Sequence, residues 1–157
     1  MQLNGMRSYL VKMICLIQRV TKGKVEVEQK TVGEISAGLV VLTAFQPNDN
    51  IDSITKMTHK LLNYRLFSDE NDKMNLNVKQ VKGELLLVPQ FTLAANTKSG
   101  LRPSFSSSAS PAVATLLFDQ FVEHCRQQHP SIQTGKFGAD MQVSLTNDGP
   151  VTFWLEV

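Results

Sequence analysis

A glutamine and a threonine stand where a strongly apolar segment of the chain ends. Residues 83–93 read GELLLVPQFTL, with Gln90 and Thr92 near the end of the run. A strand that ends there brings an amide, a hydroxyl and backbone N–H groups released from the sheet to one place. Such a collection of donors can bind an oxyanion. From these residues alone, a strand that merely runs into a surface loop fits equally well.

Two cations follow on the adjoining polar segment, AANTKSGLRPSFSSSAS. Lys98 and Arg102 lie on either side of Gly100, on a loop that could hold a phosphate group. The whole chain has a formal net charge of only +2 and a pI near 8.6. This balance excludes the dense basic surface of a nonspecific nucleic-acid binder, so any contact with RNA or DNA must be local.

The dipeptide Gly149-Pro150 interrupts the last part of the chain, GKFGADMQVSLTNDGPVTFWLEV. After it, apolar and polar residues alternate with the period of two that is typical of a half-buried strand. The pattern predicts a final hairpin with Gly149-Pro150 at its turn. Whether the dipeptide only shapes that turn or also has a function is open at this point.

Metal chemistry is not predicted. The histidines and cysteines lack the spacing of metal ligands and the cysteines do not form a CxxC motif; they are His59, His124, His129, Cys15 and Cys125. We interpret both cysteines as reduced, buried thiols of a cytosolic protein. The acidic cluster within residues 67–77 is typical of a solvated turn.

The remaining elements must position these residues. Four short segments rich in Val and Ile predict strands and an antiparallel meander, at residues 13–20, 24–29, 31–36 and 38–45. Apolar residues spaced by three and four predict an amphipathic helix over residues 50–65, with Asp49 or Asn50 as N-cap. A second helix is predicted from the N-cap Ser110, with Pro111 at its first position. Its apolar stripe is predicted to contain Val113, Leu116, Leu117, Phe121 and Cys125.

Strands before and after two separate helices, without regular βαβ alternation, predict an α+β domain. Its sheet is expected to be mainly antiparallel and barrel-like, with the two helices packed on it. A chain of 157 residues, 42% of them hydrophobic, fits one such domain. We assign it to residues 13–157, with residues 1–12 as an N-terminal extension. The apolar run near the start has neither a cleavage site nor the length of a membrane span.

Four segments together resemble the D-aminoacyl-tRNA deacylase family, originally called D-tyrosyl-tRNA deacylases. They are MICLIQRV, NYRLFSDENDKMNLNV, GELLLVPQFTLAANTKSGLRPSFS and GKFGADMQVSLTNDGPVTFWLEV. The resemblance covers residues 13–157 in order, and its two motifs, QFTL and NxGPVT, are highly specific. They lie far apart in the chain, at residues 90–93 and 147–152, and a pure RNA-binding module would not require both.

Membership of this family would imply a cytoplasmic homodimer with its active site at the subunit interface. It would hydrolyse the ester that joins a D-amino acid, or glycine mischarged on tRNA-Ala, to the 3′-terminal adenosine of tRNA. No metal or organic cofactor is implied. Two alternatives remain: a sibling deacylase that removes L-alanine mischarged on tRNA-Thr, and a tRNA-binding dimer without catalysis.

The resemblance also implies roles for nine residues. A cis peptide at Gly149-Pro150 would enter the partner's active site and exclude L side chains, and Arg19 would brace that loop. Gln90, Phe91 and Thr92 would lie beside the scissile ester, with the N–H groups of Phe91 and Thr92 as oxyanion donors. The pocket for the terminal adenine would contain Phe137, Gly138 and Met141, although Phe137 and Met141 could instead be core residues.

Two points in this comparison stay open. Thr92 is a candidate nucleophile, but no motif places a His or Lys beside it to activate a hydroxyl, so we favour a water oriented by the 2′-OH of the substrate. The family usually has Ser before QFTL, where this chain has Pro89, which offers neither a hydroxyl nor an N–H. Because the chain keeps both Phe91 and the full NDGPVT, D-specific deacylation is favoured over the sibling activity.

Overall fold

A long first strand organises the sheet. In the computed structural model, which describes residues 13–157, β1 spans Ile14–Val27 as one strand rather than the predicted two. One edge of β1 pairs antiparallel with β8, Gln142–Glu156. Its other edge pairs antiparallel with β3, Gly38–Ala44, and then with β2, Lys30–Ile35. The predicted extension, residues 1–12, lies outside the described residues.

The other side of the sheet is parallel. Strand β6, Glu84–Pro89, lies parallel to β3, and β7, Ile132–Thr134, lies parallel to β6. Helix α1, Ile51–Asn63, belongs to the first of these crossovers and α2, Pro111–Gln128, to the second. The predicted meander was wrong, because β1 lies between β2 and β3 in the sheet. The sequence showed no regular βαβ alternation and did not predict these two crossovers, which the parallel pairs require.

The ends of the sheet approach each other, so the sheet is nearly a closed barrel. A Cβ added to Gly33 of β2 would lie 2.5 Å from the carbonyl oxygen of Thr134 in β7. The antiparallel pairs along β1 still make up most of the sheet. The predicted fold class, an α+β domain with a barrel-like sheet and two packed helices, is confirmed.

Both helices begin where the sequence predicts. The Asn50 side chain accepts hydrogen bonds from the backbone N–H groups of Asp52 and Ser53, and the Ser110 hydroxyl accepts one from Val113. The predicted apolar faces are partly wrong, because Val113 and Leu116 are exposed. Leu117, Phe121 and Cys125 of α2 are buried as predicted, and Ala114, Phe118 and Val122 complete its buried stripe.

The sheet separates two hydrophobic clusters. One fills the space between the helices and the face that carries Cys15, Ile17 and Leu87; the other lies inside the barrel, around Val40 and Leu86. Both cysteines are buried free thiols, as predicted, and burial raises the pKa of each to about 12. Within residues 13–157, each helix is too short or too polar to span a bilayer.

The acidic cluster forms the turn of a small hairpin, which confirms its prediction as a solvated turn. Strands β4, Phe67–Ser68, and β5, Met74–Leu76, pair antiparallel. Between them the Asp69 carboxylate accepts hydrogen bonds from the N–H groups of Asn71 and Lys73, at 2.8 and 3.0 Å. The hydrogen bond from the N–H of Lys73 is the main cause of the lowered pKa of Asp69, and the bond from Asn71 adds to it.

Candidate active site

Strand β6 ends earlier than its sequence predicts. Pro89 is its last residue, and a single turn of 3-10 helix follows over Phe91–Ala94. The N–H of Gln90 still donates to the carbonyl oxygen of Thr43, at 2.7 Å, so the chain turns away from β3 at this residue. The predicted strand over residues 83–93 was too long, because its apolar pattern continues into the short helix.

This turn exposes two backbone donors. Phe91 and Thr92 are the first residues of the 3-10 helix, where N–H groups have no partner within the helix. Among the residues that the structure describes, neither N–H makes a hydrogen bond. Both residues are exposed, and the Gln90 amide donates to the Thr92 hydroxyl. The arrangement offers converging donors of the kind that stabilise a developing negative charge.

An apolar pocket of about 610 Å³ adjoins these donors. Five predicted site residues line it: Gln90, Phe91, Phe137, Gly138 and Met141. Phe137 also packs against the helix-side cluster and Met141 against the barrel interior, so the core interpretation of these two residues holds alongside the pocket interpretation. An aromatic ring and a thioether on one wall provide a surface suited to stacking a flat, apolar ring system.

The same pocket contains residues that the sequence did not single out. Phe105 packs on Phe91 with ring centroids 5.3 Å apart, and the start of α2 forms a further wall through Ser110, Pro111 and Ala114. Ser110 and Pro111 were interpreted only as a helix start, and no spacing within the sequence marks Phe105. Only the return of the chain from the polar loop to α2 brings them to the pocket.

A second, more polar cleft of about 840 Å³ lies on the other side of the 3-10 helix. Thr92 belongs to this cleft, together with Asn96, Lys98 and the half-exposed Trp154. Glu156 lies there too, and its carboxylate accepts a hydrogen bond of 2.8 Å from the Trp154 indole N–H. The 3-10 helix therefore separates an apolar pocket from a polar cleft, with its free N–H groups between them.

Gly149-Pro150 does not form a hairpin turn. Its peptide bond is cis, and it lies in a bulge within the continuous strand β8. Gln18 pairs with Thr152 and Val20 pairs with Asn147, so residues 148–151, here called the Gly-Pro bulge, all lie opposite Arg19. The predicted hairpin was wrong because β1 is long enough to pair with the chain on both sides of the bulge.

Arg19 holds the Gly-Pro bulge to the body of the domain. Its Nε donates to the carbonyl oxygen of Asp148 at 3.0 Å, and its Nη1 donates to the carbonyl oxygen of Leu66 at 2.8 Å. The Asp148 carboxylate lies 3.6 Å from the same Nε. On the other side, the Asn147 side chain accepts a 2.7 Å hydrogen bond from the N–H of Val151. The bulge is thereby anchored at both of its ends.

The nine predicted residues thus fall into two groups. Gln90 and Phe91 meet Phe137, Gly138 and Met141 in the apolar pocket, and Thr92 is adjacent across the 3-10 helix. Gly149, Pro150 and Arg19 line neither cavity. Gly149 and Pro150 are exposed on the surface of the chain. The Gly-Pro bulge therefore forms no part of the walls of the two cavities beside the free N–H groups.

Comparison with known proteins gives consistent matches. The family model described as D-Tyr-tRNA(Tyr) deacylase matches residues 16–156. A D-aminoacyl-tRNA deacylase of Hydrogenovibrio crunogenus is 64% identical over 148 residues, covering 92% of this chain and 99% of that protein. One from Haemophilus influenzae is 60% identical over 145 residues, covering 92% and 100%. The solved structure of a c-Myc DNA unwinding element binding protein superposes with a TM-score of 0.88 at 35% identity, covering 92% and 98%.

Proposed function

Since the chain belongs to the D-Tyr-tRNA(Tyr) deacylase family, we propose that it hydrolyses the ester between a D-amino acid and the 3′-terminal adenosine of tRNA. The products are the free D-amino acid and a reusable tRNA, and glycine mischarged on tRNA-Ala is a further substrate. Such substrates place the protein in the cytoplasm. The observation that carries the proposal is the pair of free N–H groups beside the apolar pocket.

The apolar pocket receives the terminal adenine. Its walls of Phe137, Met141 and the Phe91–Phe105 pair give a flat base two aromatic surfaces and a polarisable sulfur. An adenosine seated there presents its 3′ oxygen towards the mouth of the pocket, where the 3-10 helix begins. The ester carbonyl then lies near the N–H groups of Phe91 and Thr92.

Hydrolysis proceeds by attack of water on this carbonyl. The two N–H groups stabilise the oxyanion that forms, an interaction that strengthens as charge develops and therefore accelerates the reaction. Thr92 is not activated as a nucleophile, because its hydroxyl accepts a hydrogen bond from the Gln90 amide, which cannot act as a base. The 2′-OH of the adenosine orients the water.

A homodimer completes the site. A partly exposed apolar row runs across three neighbouring strands through Trp154, Leu16 and Leu42, on the sheet face opposite the helices, where Leu42 also packs against the barrel interior. A second copy covers this row, as partly exposed apolar rows tend to mark protein interfaces. Because the Gly-Pro bulge of one chain does not line its own apolar pocket, the bulge of the partner subunit supplies the missing part of the site.

The bulge discriminates chirality by exclusion. A hydrophobic side-chain pocket would distinguish substrates by only about 1–3 kcal/mol per methylene group, and it would also restrict the range of amino acids. A backbone segment held where an L side chain must go rejects every L-amino acid in the same way. The anchoring of the bulge by Arg19 and Asn147 gives the stiffness that such a segment requires.

One residue supports a second candidate within the same chemistry. Pro89 replaces the Ser that the family usually has, and its ring lies 3.3 Å from the position of a Cβ added to Gly135, at the edge of the apolar pocket. The sibling deacylases, which remove L-alanine from mischarged tRNA-Thr, also differ from the usual family sequence at this motif. The chain keeps Phe91 and the full NDGPVT motif, which favours D-specific deacylation.

Deacylation of matched substrates tests the proposal. Purified protein is incubated with D-tyrosyl-tRNA, L-tyrosyl-tRNA and L-alanyl-tRNA-Thr, and the release of amino acid is followed. We expect rapid hydrolysis of the D ester and none of the L-tyrosyl ester above the spontaneous rate. Equal rates on both tyrosyl enantiomers would contradict the exclusion model, and preference for L-alanyl-tRNA-Thr would favour the sibling activity.

Thr92→Val separates water attack from attack by the threonine. The variant keeps the backbone N–H and the branched shape but loses the hydroxyl, so we expect kcat to fall by less than about 10-fold, the loss of one hydrogen bond. A nucleophilic threonine would instead make the variant inactive and would leave an acyl-enzyme in the wild type. Single-turnover kinetics with mass spectrometry of the quenched protein distinguishes these outcomes.

A further inference from the structure

The polar segment after the 3-10 helix forms a second positively charged feature beside the site. Residues 96–104, here called the basic loop, are closed by two backbone hydrogen bonds between Asn96 and Ser104, at 2.8 and 3.0 Å. The Asn96 side chain also accepts a 2.9 Å hydrogen bond from the N–H of Lys98. Gly100, with a φ of +73°, allows the chain to reverse between these ends.

The exposed face of this loop carries no negative charge. Residues 85–118 contain neither aspartate nor glutamate, whereas Lys98 and Arg102 lie on the loop itself. Within residues 13–157, neither cation forms an ion pair. Leu101, between them at the tip, is fully exposed. Both cations are exposed, so they are available to an anionic partner that approaches this face of the loop.

The basic loop is continuous with the site. Lys98 and Thr92 line the same polar cleft, which therefore leads from the free N–H groups towards the loop. The apolar pocket accounts for the terminal adenosine alone, and the nucleotides that precede it must leave along the protein surface. Among the described residues that line the cleft, Glu156 alone carries a carboxylate, and this group accepts a hydrogen bond from the Trp154 indole N–H.

We propose that the basic loop binds the phosphates of the single-stranded acceptor end of the tRNA through Lys98 and Arg102. The inference rests on the proposed function, because the path of the acceptor end is traced from a terminal adenosine bound in the apolar pocket. Phosphate contacts of this kind position a nucleic acid without reading its sequence. They explain how a protein with a net charge of only +2 engages a polyanion. They also predict that the loop is dispensable for a substrate that has no phosphates.

The test compares D-tyrosyl-tRNA with D-tyrosyl-adenosine, a phosphate-free ester of the same terminal nucleoside. For Lys98→Ala/Arg102→Ala we expect kcat/KM on the tRNA to fall roughly 10- to 30-fold near physiological salt. The slope of log kcat/KM against log salt should become shallower by about 1.4, the value for two phosphate contacts on a single strand. Activity on D-tyrosyl-adenosine should stay at the wild-type level, which also shows that the variant is folded.

Lys56→Ala/Lys79→Ala is the matched control. It also removes two positive charges, but from exposed positions on α1 and after β5. It therefore reports the effect of net charge alone. If both double variants lose activity on tRNA equally, or if the basic-loop variant also fails on D-tyrosyl-adenosine, the inference is overturned. A change of oligomeric state in the basic-loop variant, seen by light scattering, would assign the loop to a protein interface instead. Wild-type protein inactive on both esters would refute the proposed function itself.

Discussion

Replacing Gly149 with alanine is expected to lower kcat/KM on D-aminoacyl-tRNA by about 100-fold, the cost of a displacement of about 1 Å in a positioning element. Gly149 has a φ of +135°, a conformation that L residues rarely adopt. An added Cβ would lie 2.7 Å from Cγ2 and 3.0 Å from the backbone N of Val151. The bulge must therefore shift. Steady-state kinetics on D- and L-tyrosyl-tRNA measures both the loss of rate and any gain of L activity.

The fold should tolerate this substitution, because the bulge is exposed and the strand pairs on both sides of it remain. Thermal unfolding is expected to show a change of only a few degrees. Thr146→Ala, at an exposed position of the same strand, serves as the control and should behave like the wild type. A Gly149→Ala protein with unchanged rate and unchanged chiral preference would count against the bulge as the excluding element.

Removing the Arg19 side chain is the second substitution with a large expected effect. Arg19→Ala releases the carbonyl oxygens of Asp148 and Leu66, which the guanidinium joins with hydrogen bonds of 3.0 and 2.8 Å. We expect kcat/KM on D-aminoacyl-tRNA to fall roughly 10- to 100-fold as the bulge loses its position. Stability should fall by about 2 kcal/mol, since these bonds come from a charged donor. Kinetics and denaturant unfolding of one preparation measure both quantities.

Two further variants identify which contact of Arg19 matters. Arg19→Lys keeps the charge but cannot reach two carbonyl groups with a fixed planar fork, so we expect it to recover little of the lost rate. Asp148→Asn keeps the carbonyl contact and loses only an ion pair of 3.6 Å to a half-exposed carboxylate, which contributes little. If Asp148→Asn were as impaired as Arg19→Ala, the salt bridge rather than the backbone bond would hold the bulge.

The two substitutions probe one arrangement from opposite sides. Arg19 lies on β1 and Gly149 on β8, and the register of these strands places residues 148–151 opposite Arg19. A double variant should therefore be far from additive, because either change alone releases the bulge. Additive losses would mean that Arg19 and Gly149 serve the reaction independently.

Local features of the domain were determined by the sequence itself. The N-caps Asn50 and Ser110, the Pro at the start of α2, the turn around Asp69 and the position of β3 depend on interactions within a few residues. Such interactions are present in any fold that the chain adopts, so pattern and capping rules can identify them. The motifs QFTL and NDGPVT likewise determined the family, which the comparisons confirm.

Pairing between distant segments was decided by the tertiary structure. Residues 14–27 form one strand because β8 pairs along nearly its whole length, and the same pairing turns an expected hairpin into a bulge at residues 148–151. The length of β1 depends on a partner more than a hundred residues away, and no local pattern encodes it. The parallel placement of β6 beside β3 is equally non-local.

The same distinction applies to the site. The sequence identified Gln90, Phe91 and Thr92 as chemically useful, but only the early end of β6 and the 3-10 helix free the N–H groups of Phe91 and Thr92. Phe105 joins the pocket through a ring contact across a loop, which sequence spacing does not reveal. Residue types and motifs determined the kind of chemistry. Backbone hydrogen bonding and strand register, which depend on contacts across the whole chain, decided the geometry in which that chemistry becomes available.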